Sequence, residues 1–324
     1  MATPITAIVV GAGHRALYYA SYAQKHPEEL KIVGVADPDE RRRRLVLETY
    51  GCQPDMGFAS AEELAARGRL AEVIINGTMD HQHVATTIPL LEAGYDVLLE
   101  KPIAIHVDEL QQLHQVARRT GRLVMICHVL RYAPFYVAAR SVIARGDLGE
   151  IMNLQTIEHV SYHHMAVGFV RGKWNREAGG STMLMAKCCH DLDLQAWMMS
   201  GNAPTRVASF GGRQFFRPEK APAGAGTRCV VDCAIEAQCQ YSARKHYLEQ
   251  GKWGFYCWAG IEHLKEATEQ DKLEHLRTGP YGRCVWHCDN DVVDHQSVTV
   301  EFANGATATH NMVGGTARPS RAIH

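Results

Sequence analysis

The segment from Ile5 to Asp37 constrains the fold of this chain more than any other. An apolar run, Ile5-Thr6-Ala7-Ile8-Val9-Val10, enters Gly11-Ala12-Gly13-His14-Arg15-Ala16. An alanine- and tyrosine-rich helical stretch follows, and a second apolar run, Ile32-Val33-Gly34-Val35-Ala36, ends in Asp37. Strand, glycine turn, helix, strand and acid stand in the order a dinucleotide requires, with the acid about 20 residues beyond the turn. Gly11 permits the tight turn and Gly13 lets backbone approach a pyrophosphate. Ala16, in place of a third glycine, keeps the helix close to the strand, and the helix N-terminus faces the phosphates. The bland alternative is a tight turn in a sheet that binds nothing. Asp37 should accept hydrogen bonds from the adenosine ribose hydroxyls and repel a 2′-phosphate, so NAD is expected in preference to NADP. Guanidinium groups of Arg41-Arg42-Arg43-Arg44 could bind that phosphate, but helical spacing sends the four around the helix onto a solvated face.

The 324 residues suffice for two ordinary domains. Lys plus Arg (34) nearly cancel Asp plus Glu (35), so no global charge argues for nucleic acid or an anionic membrane. No apolar run reaches the roughly 18 residues that span a bilayer. The first apolar run lacks a basic leader and reads as a strand, so a cytoplasmic protein is expected. Ten cysteines then read as thiols or metal ligands rather than a disulfide framework. Cys229, Cys233 and Cys239 are the candidate ligands of a structural metal, although their spacing departs from the usual CxxC and no catalytic metal is expected.

Apolar strands alternate with helical stretches as far as Cys127, the pattern of a doubly wound parallel sheet. Helices are expected over Glu40–Tyr50, Ala61–Arg67, His83–Ala93 and Val107–Thr120, and strands at Val73–Asn76, Asp96–Glu100 and Leu123–Cys127. Past Arg131 a helix near Pro134–Arg145 gives way to strand-like segments, Ile151–His159 and Arg206–Arg213. The stretch Arg217–Thr227, rich in Pro, Gly and Ala, reads as a surface loop. Ser297–Phe302 and Ala306–Val313 read as a hairpin turning at Asn304-Gly305.

At Glu100-Lys101-Pro102, directly after strand-like Val97-Leu98-Leu99, the sequence resembles the Gfo/Idh/MocA family of sugar and polyol oxidoreductases. The glycine turn, Asp37, the Glu-Lys-Pro tripeptide and His190-Asp191-Leu192-Asp193 fall in family order over the whole chain. The resemblance implies an α/β protein: a Rossmann domain over residues 1–127, then a substrate-binding and oligomer-forming domain over 128–324 with a large, mostly antiparallel sheet. Family members extend beyond the equivalent of Ile323, so the sheet reads as cut short here. A homo-oligomer acting on a small sugar or glycoside is implied. The implied cofactor contacts are Gly11, Gly13, His14, Arg15, Asp37, Thr78, His83, Glu100, Lys101 and Pro102. Met125–Tyr132, His164–Trp174 and Lys187–Asp191 are similar to one branch, whose members include enzymes that cleave glycosides by a redox cycle without consuming the nicotinamide.

Oxidising a sugar carbinol needs a positive group beside the developing alkoxide and a base for the hydroxyl proton. Lys101 suits the first and, if burial lowers its pKa, the second. His190 is the better proton-transfer candidate. Ordinary relatives carry an Asp four residues earlier; here that position is Ala186, with Lys187 beside it. Glycoside cleavage would need a further base, and Tyr162, His163 or His164, read as lying on a strand, could supply it. Arg131, Arg171, Trp174, Lys187 and Asp191 are the candidate sugar contacts. Net sugar dehydrogenation and redox-neutral cleavage stay open at this point, as does a nucleotide-binding module without catalysis.

Overall fold

The computed structural model describes residues 3–261 and 267–324. Contacts divide it into two units, Met1–Cys127 and His128–His324.

In the first unit six parallel strands, β1 (Ile5–Val10), β2 (Leu30–Ala36), β3 (Gly57–Phe58), β4 (Val73–Asn76), β5 (Asp96–Leu99) and β6 (Val124–Ile126), lie in the order β3-β2-β1-β4-β5-β6. Parallel strands need crossovers, and the helices supply them: α1 (His14–Ala20), α2 (Tyr22–Lys25), α3 (Glu40–Tyr50), α4 (Ala61–Ala66), α5 (His83–Glu92) and α6 (Val107–Thr120). Local chemistry sets their ends. Asp39 caps α3 by accepting from the Arg41 N–H, and Gly51 closes it at a left-handed φ of 63°. Ser60 caps α4 by accepting from the Glu63 N–H. Helices cover both faces, so Ile8, Val10, Ile74, Val97 and Leu99 pack into one core and Ala7, Val9 and Ile75 into the other. The strand order reverses between β1 and β4, the switch point at which doubly wound sheets bind nucleotides.

The second unit carries a five-stranded sheet of β7 (Asn153–Ser161), β8 (Pro204–Gly212), β9 (His295–Phe302), β10 (Thr307–Thr316) and β11 (Ser320–Ile323), ordered β11-β7-β10-β9-β8. All neighbours are antiparallel except β7 and β10. The hairpin β9–β10 forms as the sequence indicates, with Gly305 at φ 84°. Its helices are α7 (Pro134–Ala144), α8 (Tyr162–Met165), α9 (Cys189–Met198), α10 (Gly254–Cys257) and α11 (Glu269–Thr278). Three differences from the sequence reading stand out. Tyr162, His163 and His164 occupy the helix α8 that follows β7, not the strand itself. Two short strands, β3 and β11, carry too little apolar pattern to be read. Ala166–Val170, Leu184–Cys188 and Arg244–Glu249 are π-helical, a wide turn that no sequence periodicity announces. Among the described residues no helix is long and apolar enough to cross a membrane.

Candidate active site

In the first unit the site grows from the turn after β1. Gly11 stands at φ 75°, and a Cβ there would lie 2.7 Å from the Thr78 nitrogen, so only glycine lets the β1 and β4 turns touch. Gly13 is ordinary extended backbone at φ −81°, ψ 175°, and nothing lies within 4 Å of where its Cβ would be. That open space beside the start of α1 fits a pyrophosphate. A Cβ on Gly77 would meet the Ala16 Cβ at 2.8 Å, which accounts for the small residue in the third fingerprint position. His14 and Arg15 are exposed on the first turn of α1.

Asp37, only 5% exposed, holds this turn from the end of β2. Its Oδ2 accepts from the Ala12 N–H at 2.7 Å and its Oδ1 from the Asp39 N–H at 2.8 Å. Each oxygen keeps a second lone pair for a ribose hydroxyl. The arginines are partly committed elsewhere: Arg41 pairs with Asp39, Arg43 donates to the Asp37 carbonyl, and Arg44 lies against Glu48.

Lys101 lies two residues beyond the end of β5 and is half-buried, and its peptide bond to Pro102 is cis. The position is bolted from three sides. The Glu100 Oε2 accepts from the Lys101 N–H at 2.8 Å, its Oε1 accepts from the Tyr19 hydroxyl at 2.6 Å, and Arg15 stands 3.6 Å away. Burial and the Glu100 charge push the Tyr19 hydroxyl far above its ordinary pKa, so it remains a donor. Burial likewise pushes the Cys127 thiol up to about 12, which makes it inert.

His83 is buried, with Nδ1 2.6 Å from the Pro102 carbonyl and Nε2 3.2 Å from the Thr78 carbonyl. The expectation that it touches the cofactor gives way to a holding role, because both nitrogens are directed at backbone inside the fold. Asn76, which the sequence reading overlooked, is a hub. Its amide donates to Thr86 and Thr87, and its oxygen accepts from the Thr78 N–H and hydroxyl. A buried Asn closing the apolar run Val73–Asn76 was the signal available.

In the second unit His190 is 8% exposed at the start of α9. The ring of His128 meets it edge to face at 5.9 Å. Asp193 receives both ends of the Arg131 guanidinium, at 2.8 and 2.6 Å, and lies 3.8 Å from His128. Arg131 is thus oriented by a partner on the helix that carries His190.

Asp191 and Arg171 correct the sequence reading. Asp191 is fully buried and grips Arg321 of β11 with both oxygens, at 2.8 and 3.2 Å, so it bolts α9 to the sheet instead of touching sugar. Glu158 of β7 joins this network, meeting Arg321 at 2.7 Å and Lys187 at 2.9 Å. Lys187 therefore carries a neutralised charge, next to the buried Ala186. Further along α9, Gln195 donates to Thr156 and to the Thr309 carbonyl, and Thr156 meets Nδ1 of His310 at 3.0 Å.

Arg171 is 1% exposed. It donates to the carbonyls of Arg283 and Tyr241, the Tyr247 hydroxyl and the Cys229 sulfur. All three of its guanidinium nitrogens are engaged inside the fold and the side chain is buried, so it is not placed to hold a sugar.

Tyr162, His163 and His164 gather with His246, Trp253, Tyr256 and Trp174 in an aromatic cluster. Tyr162 lies 5.5 Å from the His246 ring, His164 stacks on Trp253 at 4.5 Å, and Trp174 meets Tyr256 edge-on at 5.8 Å. Trp253 and Tyr256 were not foreseen, because nothing near them in sequence marks them.

Among the described residues, the donor triplets within 4.8 Å of one another are Cys188–Asp191–His310 and His26–Glu28–Glu29. Cys229, Cys233 and Cys239 do not converge in this way among the described residues, so the candidate thiolate site is not assembled.

Comparison with known proteins follows the same division. Residues 5–128 match an oxidoreductase family described as having an NAD-binding Rossmann fold, and residues 136–257 match the GFO/IDH/MocA C-terminal domain. The chain is 23% identical over 292 residues to the Bacillus subtilis protein YteT, covering 87% of this chain and 65% of that protein. It is 29% identical over 207 residues to the trans-1,2-dihydrobenzene-1,2-diol dehydrogenase of Oryctolagus cuniculus, covering 63% of this chain and 60% of the enzyme. The chain thus spans less than two thirds of the length of these relatives. In fold it is similar to the crystal structure of myo-inositol 2-dehydrogenase from Lactobacillus plantarum, with a TM-score of 0.66 at 14% identity over 99% of this chain and 73% of that one. Two successive stretches, one in each unit, match the two domains of a single family, and the chain belongs to the Gfo/Idh/MocA oxidoreductases.

Proposed function

We propose that this protein oxidises a secondary alcohol on the ring of a sugar or cyclitol, with NAD as its cofactor. The observation that carries this reading is Lys101, placed at the end of β5 by Glu100 and Tyr19 in the unit whose glycine turn leaves room for a pyrophosphate. When bound, NAD supplies the two-electron acceptor. Gly11, Gly13 and Asp37 would hold it, with Thr78 and Pro102 kept in position by Asn76 and His83. The Asp37 carboxylate and the engagement of Arg41 and Arg43 within their own turn favour NAD over NADP. Lys101 in the first unit is suited to favour the alkoxide that forms as a carbinol loses its proton, and His190 in the second is suited to exchange a proton. Two relatives named above are dehydrogenases of cyclic alcohols by name, which supports a ring carbinol as substrate.

A second reading, redox-neutral cleavage of a glycoside, is favoured by one observation: Tyr162, His163 and His164 are grouped in an aromatic cluster suited to a second ring. Incubation with NAD, a panel of sugars and cyclitols, and p-nitrophenyl glycosides separates the two. Rising 340 nm absorbance that Lys101→Ala abolishes supports oxidation. NAD-dependent nitrophenol release without net NADH supports cleavage. Turnover that survives Lys101→Ala rejects both.

A further inference from the structure

Among the described residues, Trp253 is the one non-glycine residue at positive φ, 60° with ψ 26°. A left-handed backbone is unfavourable for an L residue, and such strain persists only where the surroundings over-determine it. Here they do. The indole Nε1–H donates to Nδ1 of His163 at 3.0 Å. The indole ring stacks on His164 at 4.5 Å and 22°, and lies near-parallel to Tyr256 at 6.0 Å.

An indole N–H can only donate. Nδ1 of His163 must therefore present a lone pair, and a neutral imidazole with its lone pair on Nδ1 carries its proton on Nε2. Protonating Nδ1 would set one N–H against another. The groups around the ring act in the same sense: burial first, then Lys252 and His246, hold the His163 pKa below its ordinary value. Tyr162 packs edge-on at 5.1 Å, and the Ser161 hydroxyl lies at 3.4 Å from Nδ1. His163 is half-buried, and its hydrogen-bond partners among the described residues are all at Nδ1, which leaves Nε2 to a ligand.

We infer that Trp253 locks His163 as a neutral Nε2–H donor to a substrate oxygen, so that His163 is an electrophile and not the additional base. Its natural acceptor is the oxygen of the ketone formed when the ring carbinol is oxidised, or a hydroxyl beside it. A neutral imidazole polarises such an oxygen without giving up its proton, and the aromatic rings beside it offer a wall for the ring face. Trp253 is then a positioning residue that acts through His163. The identity of the acceptor rests on the sugar-oxidation reading; the tautomer does not.

Two measurements test this. In nitrogen-15 NMR of the whole chain, His163 should show an unprotonated Nδ1 and a protonated Nε2 between pH 6 and 8, without any substrate. Trp253→Phe keeps the stacking but frees Nδ1, and should give mixed tautomers. A protonated Nδ1 in the parent protein overturns the inference even if no sugar is ever found to turn over. In turnover, His163→Ala should lower kcat about 100-fold, in line with loss of one oriented donor. His163→Gln, which donates but cannot titrate, should stay within about tenfold of the parent. Equal loss in both variants would make His163 a proton acceptor and overturn the assignment.

Discussion

Replacing Gly13 by alanine separates folding from cofactor binding more cleanly than any other change in the first unit. The residue sits at φ −81°, ψ 175°, a conformation any L residue adopts, and its Cβ would enter a space with nothing within 4 Å. Two small effects then oppose each other in the free protein. Loss of glycine's freedom in the unfolded chain stabilises by about 0.4–1 kcal/mol, and loss of a preferred helix-capping residue costs on the order of 0.5–1 kcal/mol. The net change should lie within about 0.5 kcal/mol of zero. Binding should suffer far more. A methyl group where a pyrophosphate approaches removes one or two hydrogen bonds to charged oxygens, each worth about 1.5–3 kcal/mol, which corresponds to a 10- to 100-fold rise in Kd or beyond. Urea unfolding followed by tryptophan fluorescence reads the first quantity, and NADH titration reads the second. Gly11→Ala is the matched control: its φ of 75° and the Thr78 nitrogen 2.7 Å from the new Cβ predict a loss of several kcal/mol in stability. If Gly13→Ala bound NADH as tightly as the parent, the phosphates would not lie at this turn and the cofactor site would have to be redrawn.

Three further outcomes are expected. Arg171→Met should cost about 3–5 kcal/mol in urea unfolding, because it leaves two carbonyls and a hydroxyl buried without a donor; unchanged stability with weakened sugar binding would restore Arg171 to the substrate site. His310, fully buried, has its pKa lowered to about 4, chiefly by burial. The unfolded chain therefore binds the extra proton first, and stability should fall by up to about 3 kcal/mol as pH drops from about 6.5 to 4, a slope that His310→Gln removes; a parent protein with no such slope refutes the burial argument. Asn76→Ala should raise the KM for NAD by about tenfold through a loosened Thr78 turn, while altering the sugar KM little; a larger effect on the sugar would place the turn elsewhere in the reaction.

The first unit was legible because its signals are local. Gly11, Ala16 and Asp37 each answer to a neighbour fixed by the βα turn, and Gly13 borders open space beside it. Lys101 was legible through the tripeptide around it. The second unit was readable mainly as strands. Arg171 and Asp191 look in sequence like ligand-binding residues, yet their partners, Arg283 and Arg321, lie far along the chain. A charged side chain whose partner is distant in sequence cannot be told from one that waits for a ligand. Trp253 shows the same limit from the other side: its importance lies in a backbone angle and in a hydrogen bond to His163 across a wide gap in sequence. His163 and His164 were noticed as chemistry-bearing residues but set on the wrong element, since β7 ends at Ser161 and the alternation breaks just before them.

The pairing of β7 with β10 and β11 sets the order in which this protein can be made. Asn153 finds its neighbour only at Thr307, and Thr156 only at His310 and Ile323. Sheets whose partners are so distant close slowly, because much chain entropy is lost before any ladder bond forms. On the ribosome the nucleotide unit has its six strands before β7 is synthesised, whereas β7 must wait with both edges open until β10 and β11 emerge. During that interval the strand is a template for any other unpaired edge. Expression yield should therefore depend on how fast β10 and β11 follow β7, and slowing translation between β7 and β11 should lower it more than slowing it before β7.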